Sequence, residues 1–211
     1  MRLLNQEIKE CYLIPEATLV IEEEIKHSRF ISILFHCPSV DSFKCALTNI
    51  KVDYPGASHY CSAFIAAEPT NAILCGSSDD GEPAGSAGRP MLAILQGANL
   101  GEIGAIVVRY YGGTKLGVGG LVRAYTSGIK QGLSQLQTRM KQIRYPSCLT
   151  CDYHQLKDVE YLLQKFEAVI EERDFAEQVR LQFSLAKMHQ TQLNQELATL
   201  SQGGLVAQYD L

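Results

Sequence analysis

Fourteen of the 17 glycines lie between Gly76 and Gly132. A segment so enriched needs left-handed backbone angles or very close approach of main chains, both of which a Cβ forbids. The glycines gather in two places. One is SDDGEPAGSAGRPM (78–91), with three carboxylates, three glycines, two prolines and one arginine ahead of the apolar run LAILQGA. The other is GGTKLGVGG (112–120), set between the apolar run GEIGAIVVRYY (101–111) and an amphipathic segment.

The first motif carries Asp79, Asp80, Gly81 and Glu82, followed by Arg89. Carboxylates ahead of a helix meet the positive end of its dipole. Pro90 suits a first helical turn and biases Arg89 toward extended geometry. Oxygen ligands could also hold a hard cation, but D-D-G-E lacks the alternation of a calcium loop. A third reading pairs these acids with the basic residues of the second motif. No metal site is expected.

In the second motif the order strand, glycine loop, helix is one that cradles phosphate on free backbone N–H groups. Arg109, Lys115 and Arg123 could add charge, and Tyr110 and Tyr111 could stack on bases. Strand alternation turns one of those tyrosines inward. The nucleotide fingerprints fail. Val118 and Gly119 stand where a P-loop needs Lys and Ser or Thr, and Val122 replaces the third glycine of a dinucleotide turn. His59 and Cys61, two apart on a strand, share a face and could form a nucleophile–base pair. Alternation also allows that face to be buried, where free cysteine usually sits. No G-x-S-x-G elbow and no H-E-x-x-H helix is present.

Net charge is −4, and its distribution is uneven. Residues 1–141 carry 13 basic and 13 acidic side chains, residues 142–211 carry 6 and 10. Binding to nucleic acid driven by overall charge is therefore excluded, and any RNA contact must be a local patch. Seven cysteines and an N-terminus without a long apolar run read as reduced thiols of a cytoplasmic protein. No run approaches the about 18 apolar residues of a membrane span. Cys148 and Cys151 have zinc or redox spacing, but on a strand they point to opposite faces.

The pattern along the chain predicts strands at 17–25, 28–37 and 58–67, a helix through 39–54, a helix from Arg89 to Gly97, the buried strand 101–111 and a helix over 121–137. After 139–144 glycine nearly vanishes. The remainder reads β-α-β-β-α-β, the split-βαβ or ferredoxin-like order. The chain is therefore expected to be α+β in two domains, 1–141 and 142–211.

DDGEPAGSAGRPML (79–92), VVRYYGGTKLGVGGLVRAY (107–125) and His59-Tyr60-Cys61 together resemble the signature of the IMPACT family, in its bacterial, YigZ-like branch. The resemblance spans about residues 12–140 strongly and extends to the tail. It implies a first domain like one shared by a ribosomal protein and domain IV of elongation factor G, with two helices on one face of a four-stranded sheet. It implies a second domain like domain V of that factor. Eukaryotic relatives regulate translation by binding the partner that activates an eIF2α kinase. The expectation is a non-enzymatic, cytoplasmic binding protein without cofactor that contacts RNA, the ribosome or a translation-regulatory protein. Asp79, Asp80, Gly81 and Glu82 would organise Arg109, Lys115 or Arg123. Arg89, Tyr110 and Tyr111 would make contact, and Gly112, Gly113, Gly117, Gly119 and Gly120 would let a partner's backbone approach. The alternative is a phosphate- or nucleotide-ligand binder or enzyme at the same loops.

Overall fold

The computed structural model describes residues 10–209. They form two compact units, residues 12–141, and residues 142–209 together with residues 10 and 11.

The first unit is built on a five-stranded antiparallel sheet of β2 (Leu19–Ile25), β3 (Ser28–His36), β4 (His59–Ile65), β5 (Cys75–Ser78) and β6 (Ile103–Tyr110). The spatial order is β2-β3-β6-β4-β5. The apolar run IGAIVVRY is buried along almost its whole length, because β6 is central and both its faces are covered. One face carries α2 (Gly88–Gly97) and α3 (Val118–Gln135), packed on Phe30, Leu34, Cys61, Ala63, Ala105 and Val107. The opposite face carries α1 (Val40–Asp53) on Ile31, Ile33, Phe35, Ile106 and Val108. Strand residues one apart thus serve different helices, the period-two rule of a sheet covered on both sides. Ser39 starts α1 through a capping box with Ser42. Phe30 meets Tyr125 edge to face at 5.3 Å. Each such side chain, fully buried, stabilises by about 1.5–3 kcal/mol.

The expected four-stranded sheet with two helices is therefore corrected to five strands, with a third helix on the far face. β5 escaped sequence reading because CGSS has no β-branched or aromatic residue. Two further strands, β1 (Cys11–Pro15) and β7 (Thr138–Gln142), pair in a small sheet of their own. They occupy stretches to which the sequence pattern assigned no element.

The second unit runs β8 (Tyr145–Cys151), α4 (Leu156–Lys165), β9 (Val169–Phe175), β10 (Val179–Leu185), α5 (Lys187–Ser201) and β11 (Gln208–Tyr209). Its sheet is antiparallel, in the order β11-β8-β10-β9. Leu149, Cys151, Leu181, Phe183 and Leu185 pack against Val159, Leu163, Leu193 and Leu197 of the helices. The last strand is shorter than the expected 203–211, and residues 210 and 211 lie outside the described residues.

Candidate functional site

The strand register gathers both glycine-rich motifs at one end of the first unit. Arg29 lies opposite Tyr110, His59 opposite Arg109, and Ser62 opposite Ser78. The β2–β3 turn, the start of β4, the 79–87 loop and the 111–117 loop therefore share that end.

Arg109 is the pivot. It follows Val107 on the α2/α3 face of β6 and is only 4% exposed. Its Nη1 donates to Glu82 Oε1 at 2.5 Å, and Tyr125 OH donates to the same oxygen at 2.7 Å. Nη2 donates to Ser28 Oγ at 3.4 Å. The guanidinium lies 5.4 Å from the ring centroids of both Phe30 and Tyr111. Its Nε is buried without a hydrogen-bond partner among the described residues. His59 Nε2 stands 3.8 Å from Glu82 Oε1. Glu82 is itself nearly enclosed. The acidic and basic motifs do meet, but through one pair, and that pair is internal.

The neighbouring aspartates serve the backbone. Asp79 accepts from the N–H groups of Gly85 at 2.7 Å, Ala87 at 3.0 Å and Gly88 at 2.8 Å, and so closes the start of α2. Burial alone would raise its pKa, but those N–H groups and the charge of Arg89 hold it below the ordinary carboxylate range. Asp80, at φ +44°, accepts from Tyr60 N–H at 2.7 Å, and its carbonyl lies 2.8 Å from His59 Nδ1. Gly81 packs near the His59 ring. Cys61 donates its thiol to Asp79 O at 3.0 Å. Burial, with the nearby charges of Glu82, Asp80 and Asp79, pushes that thiol up to about 12 despite a hydrogen bond with Tyr125. Burial and then Cys61 and Glu82 also raise the Tyr125 phenol. A thiol held protonated is not a nucleophile at neutral pH. The His59–Cys61 pair is thus an internal fastening of the 79–82 loop. Among the described residues no group of three or more His, Cys, Asp or Glu could hold a metal ion.

The placements differ from the sequence expectation in several ways. Arg109, expected to be organised by the acids within an exposed binding surface, is held by Glu82 but lies beneath that surface, because alternation from Val107 turns it under α3. Tyr110 faces the α1 side, with its OH donating to Pro55 O at 3.2 Å. Gly112 does not receive a partner. A Cβ there would sit 1.9 Å from His27 O, so its missing side chain admits the β2–β3 turn of the same chain. Gly120 faces Leu116. Asp79, Asp80, Gly81 and Glu82 organise Arg109 and the α2 start, and make no ion pair with Lys115 or Arg123 among the described residues.

What remains exposed is Asp80, Gly81, Arg89, Tyr111, Gly113, Lys115, Gly117, Gly119 and Arg123. Gly113, Gly117 and Gly119 have open space where a Cβ would stand. Gly117 precedes α3 at φ +72° and ψ 163° and supplies no side-chain cap, leaving the first N–H groups of that helix uncapped by it. Lys26 and His27 were absent from the sequence-level site. Both have positive φ and form the turn against Gly112. Ser28, which accepts from Gly112 N–H at 3.1 Å, was also missed. Only knowing that β3 pairs with β6 could have found them.

Residues 26–133 match the Impact N-terminal domain, and residues 149–203 match a domain of unknown function, DUF1949. An IMPACT family member of Haemophilus influenzae is 44% identical over 197 residues, covering 93% of this chain and 96% of that protein. The IMPACT family member YigZ of Escherichia coli is 44% identical over 196 residues, with the same coverage of 93% and 96%. The family member YvyE of Bacillus subtilis is 31% identical over 179 residues, covering 85% of this chain and 82% of that protein. A solved structure described as that of a hypothetical protein superposes with a TM-score of 0.81 at 42% identity, covering 96% of this chain and 98% of the other.

Proposed function

This chain belongs to the IMPACT family, and from that premise we propose that its first unit is a non-enzymatic, cytoplasmic RNA-contacting module acting in translation. The observation that carries the reading is a sorting of charge. At the glycine-rich end the carboxylates of Asp79 and Glu82 are taken up by backbone N–H groups and by Arg109, and Asp80, the one of the three left exposed, accepts from Tyr60 N–H. Arg89, Lys115, Arg123 and Lys26 are exposed at the same end. A unit with balanced charge thereby presents a basic face.

That face has the parts that single-stranded nucleic acid requires. Tyr111, 48% exposed, offers a ring for stacking, backed by the Arg109 guanidinium. Stacking of a base on such a ring contributes about 1–3 kcal/mol. Lys115, Arg123 and the N–H groups at the start of α3 suit flanking phosphates. Bare glycines at 113, 117 and 119 leave room for a sugar–phosphate chain. The antiparallel β-α-β-β-α-β unit that follows suits the likeness to domain V of elongation factor G, and so a place on the ribosome.

The test is co-sedimentation with ribosomes and fluorescence anisotropy with a uridine-rich RNA across a salt series. Binding should weaken as salt rises, and a Lys115→Ala, Arg123→Ala variant should lower the salt slope by about one per phosphate contact removed. Tyr111→Ala should weaken binding with an unchanged slope. No association at low salt, or identical curves for all variants, would discard the reading. A melting-temperature rise with a mononucleotide instead would assign the loops to a small ligand.

A further inference from the structure

We propose that the outer edge of β9 is a docking site for an extended, basic peptide segment of another protein, which adds a strand to the sheet of the second unit. β9 ends the order β11-β8-β10-β9, so among the described residues one side of its backbone has no neighbouring strand. Six of its seven residues, Val169 and Glu171 to Phe175, are exposed, and Ile170 is partly buried. A strand edge of this kind presents a row of unpaired N–H and C=O groups, the template that strand addition uses.

The chemistry of the partner follows from charge. β9 holds Glu171, Glu172 and Asp174 against the one base Arg173. Arg173 is already committed to Glu160 on α4 at 2.8 Å. The nearby Lys165 is committed to Glu196. None of the three β9 carboxylates has a cation within ion-pairing distance among the described residues. Glu172 and Asp174 lie opposite Gln182 and Arg180 of β10, on the sheet face away from the helices, since the intervening Leu181 is buried in the core. An incoming strand with Lys or Arg at alternate positions would set its cations beside them. Phe175, 57% exposed and stacked on Tyr153, offers an apolar contact on the other face.

A second copy of this chain fits worse. Two β9 edges would bring six carboxylates together with two guanidiniums, twice the three and one of a single strand. The register shift opposite Gln182 and Phe183 is a β-bulge, which bends an edge and discourages indiscriminate pairing. The stretch from Glu172 to Phe175 stays regular and opposes acidic or flat apolar strands while accepting a basic one.

The test uses the full chain and a fluorescent peptide of alternating lysine and valine. Its controls are the glutamate–valine analogue and a lysine–valine peptide N-methylated at alternate residues. The lysine–valine peptide should bind and slow hydrogen exchange of the β9 amides. The N-methylated peptide, with equal charge but one backbone edge blocked, should bind at least about tenfold more weakly. Glu171→Lys, Glu172→Lys, Asp174→Lys in one exposed-surface variant should lose the lysine peptide and gain the glutamate one, with the parent's circular dichroism spectrum kept and a melting temperature only slightly lowered by the like charge set opposite Arg180. Equal binding of the N-methylated peptide, β9 exchange unaffected by bound peptide, or a concentration-dependent dimer protected at β9 would each overturn the proposal.

Discussion

Breaking the Arg109–Glu82 contact tests whether the paired motifs are an internal scaffold. Replacing Glu82 by leucine removes the acceptor of both Arg109 and Tyr125. A guanidinium only 4% exposed would then be unpaired. Breaking one side of a buried ion pair costs about 3–5 kcal/mol, and a stranded buried hydroxyl adds about 1–3 kcal/mol. Arg109→Met alone leaves the Glu82 carboxylate with Tyr125 as donor and should cost about 3–5 kcal/mol. The triple variant Glu82→Leu, Arg109→Met, Tyr125→Phe replaces all three side chains by apolar groups and leaves none of the three positions with an unpaired charge or hydroxyl. It should be markedly more stable than Glu82→Leu alone. Thermal and urea unfolding followed by circular dichroism give the midpoints, and at about 3 °C per kcal/mol Arg109→Met should melt about 9–15 °C lower and Glu82→Leu about 12–24 °C lower. If the losses simply add, so that the triple variant is the least stable, the cluster is not a buried, mutually dependent unit and the scaffold argument fails.

Three further outcomes follow from the same geometry. Gly112→Ala would drive a Cβ into the His27 carbonyl and should destabilise by at least about 1–3 kcal/mol, whereas Gly119→Ala, with open space, should be nearly silent in a thermal melt. Asp79 has a folded pKa held below its unfolded value, so its stabilisation is full above the usual carboxylate range and is lost as pH falls through the lowered value; melts between neutral and acidic pH should show a steeper acid decline for the parent than for Asp79→Asn, and equal slopes would contradict this. Cys61, buried with its thiol pushed up to about 12, should resist alkylation in the folded protein while exposed Cys11 and Cys45 react; mass mapping of early modification at Cys61 would refute the assignment.

Much of the secondary structure was legible because its signals are local. The apolar run ending at Tyr110 could only be a strand covered on both faces, and it is the central strand. Ser39 and the period of Phe43 to Ile50 marked α1, and Tyr125 and Ile129 marked the inward face of α3. The β-α-β-β-α-β order of the tail was readable from alternating periods. CGSS and TRMKQ carried little such signal and CYLIP, despite Tyr12 and Ile14, was cut short by Pro15; their strand state comes from neighbours supplied by distant segments.

The amino-acid sequence by itself determined that acids and bases cluster in two glycine-rich motifs next to a buried strand. Which of those charges face water was decided only by the tertiary structure. Strand parity turned Arg109 under α3, and the helix start of α2 claimed Asp79. The β3–β6 register brought Lys26, His27 and Ser28 against Gly112. The physical reason is that a charge's role depends on its desolvation and its partners, and both are set by segments remote in the chain.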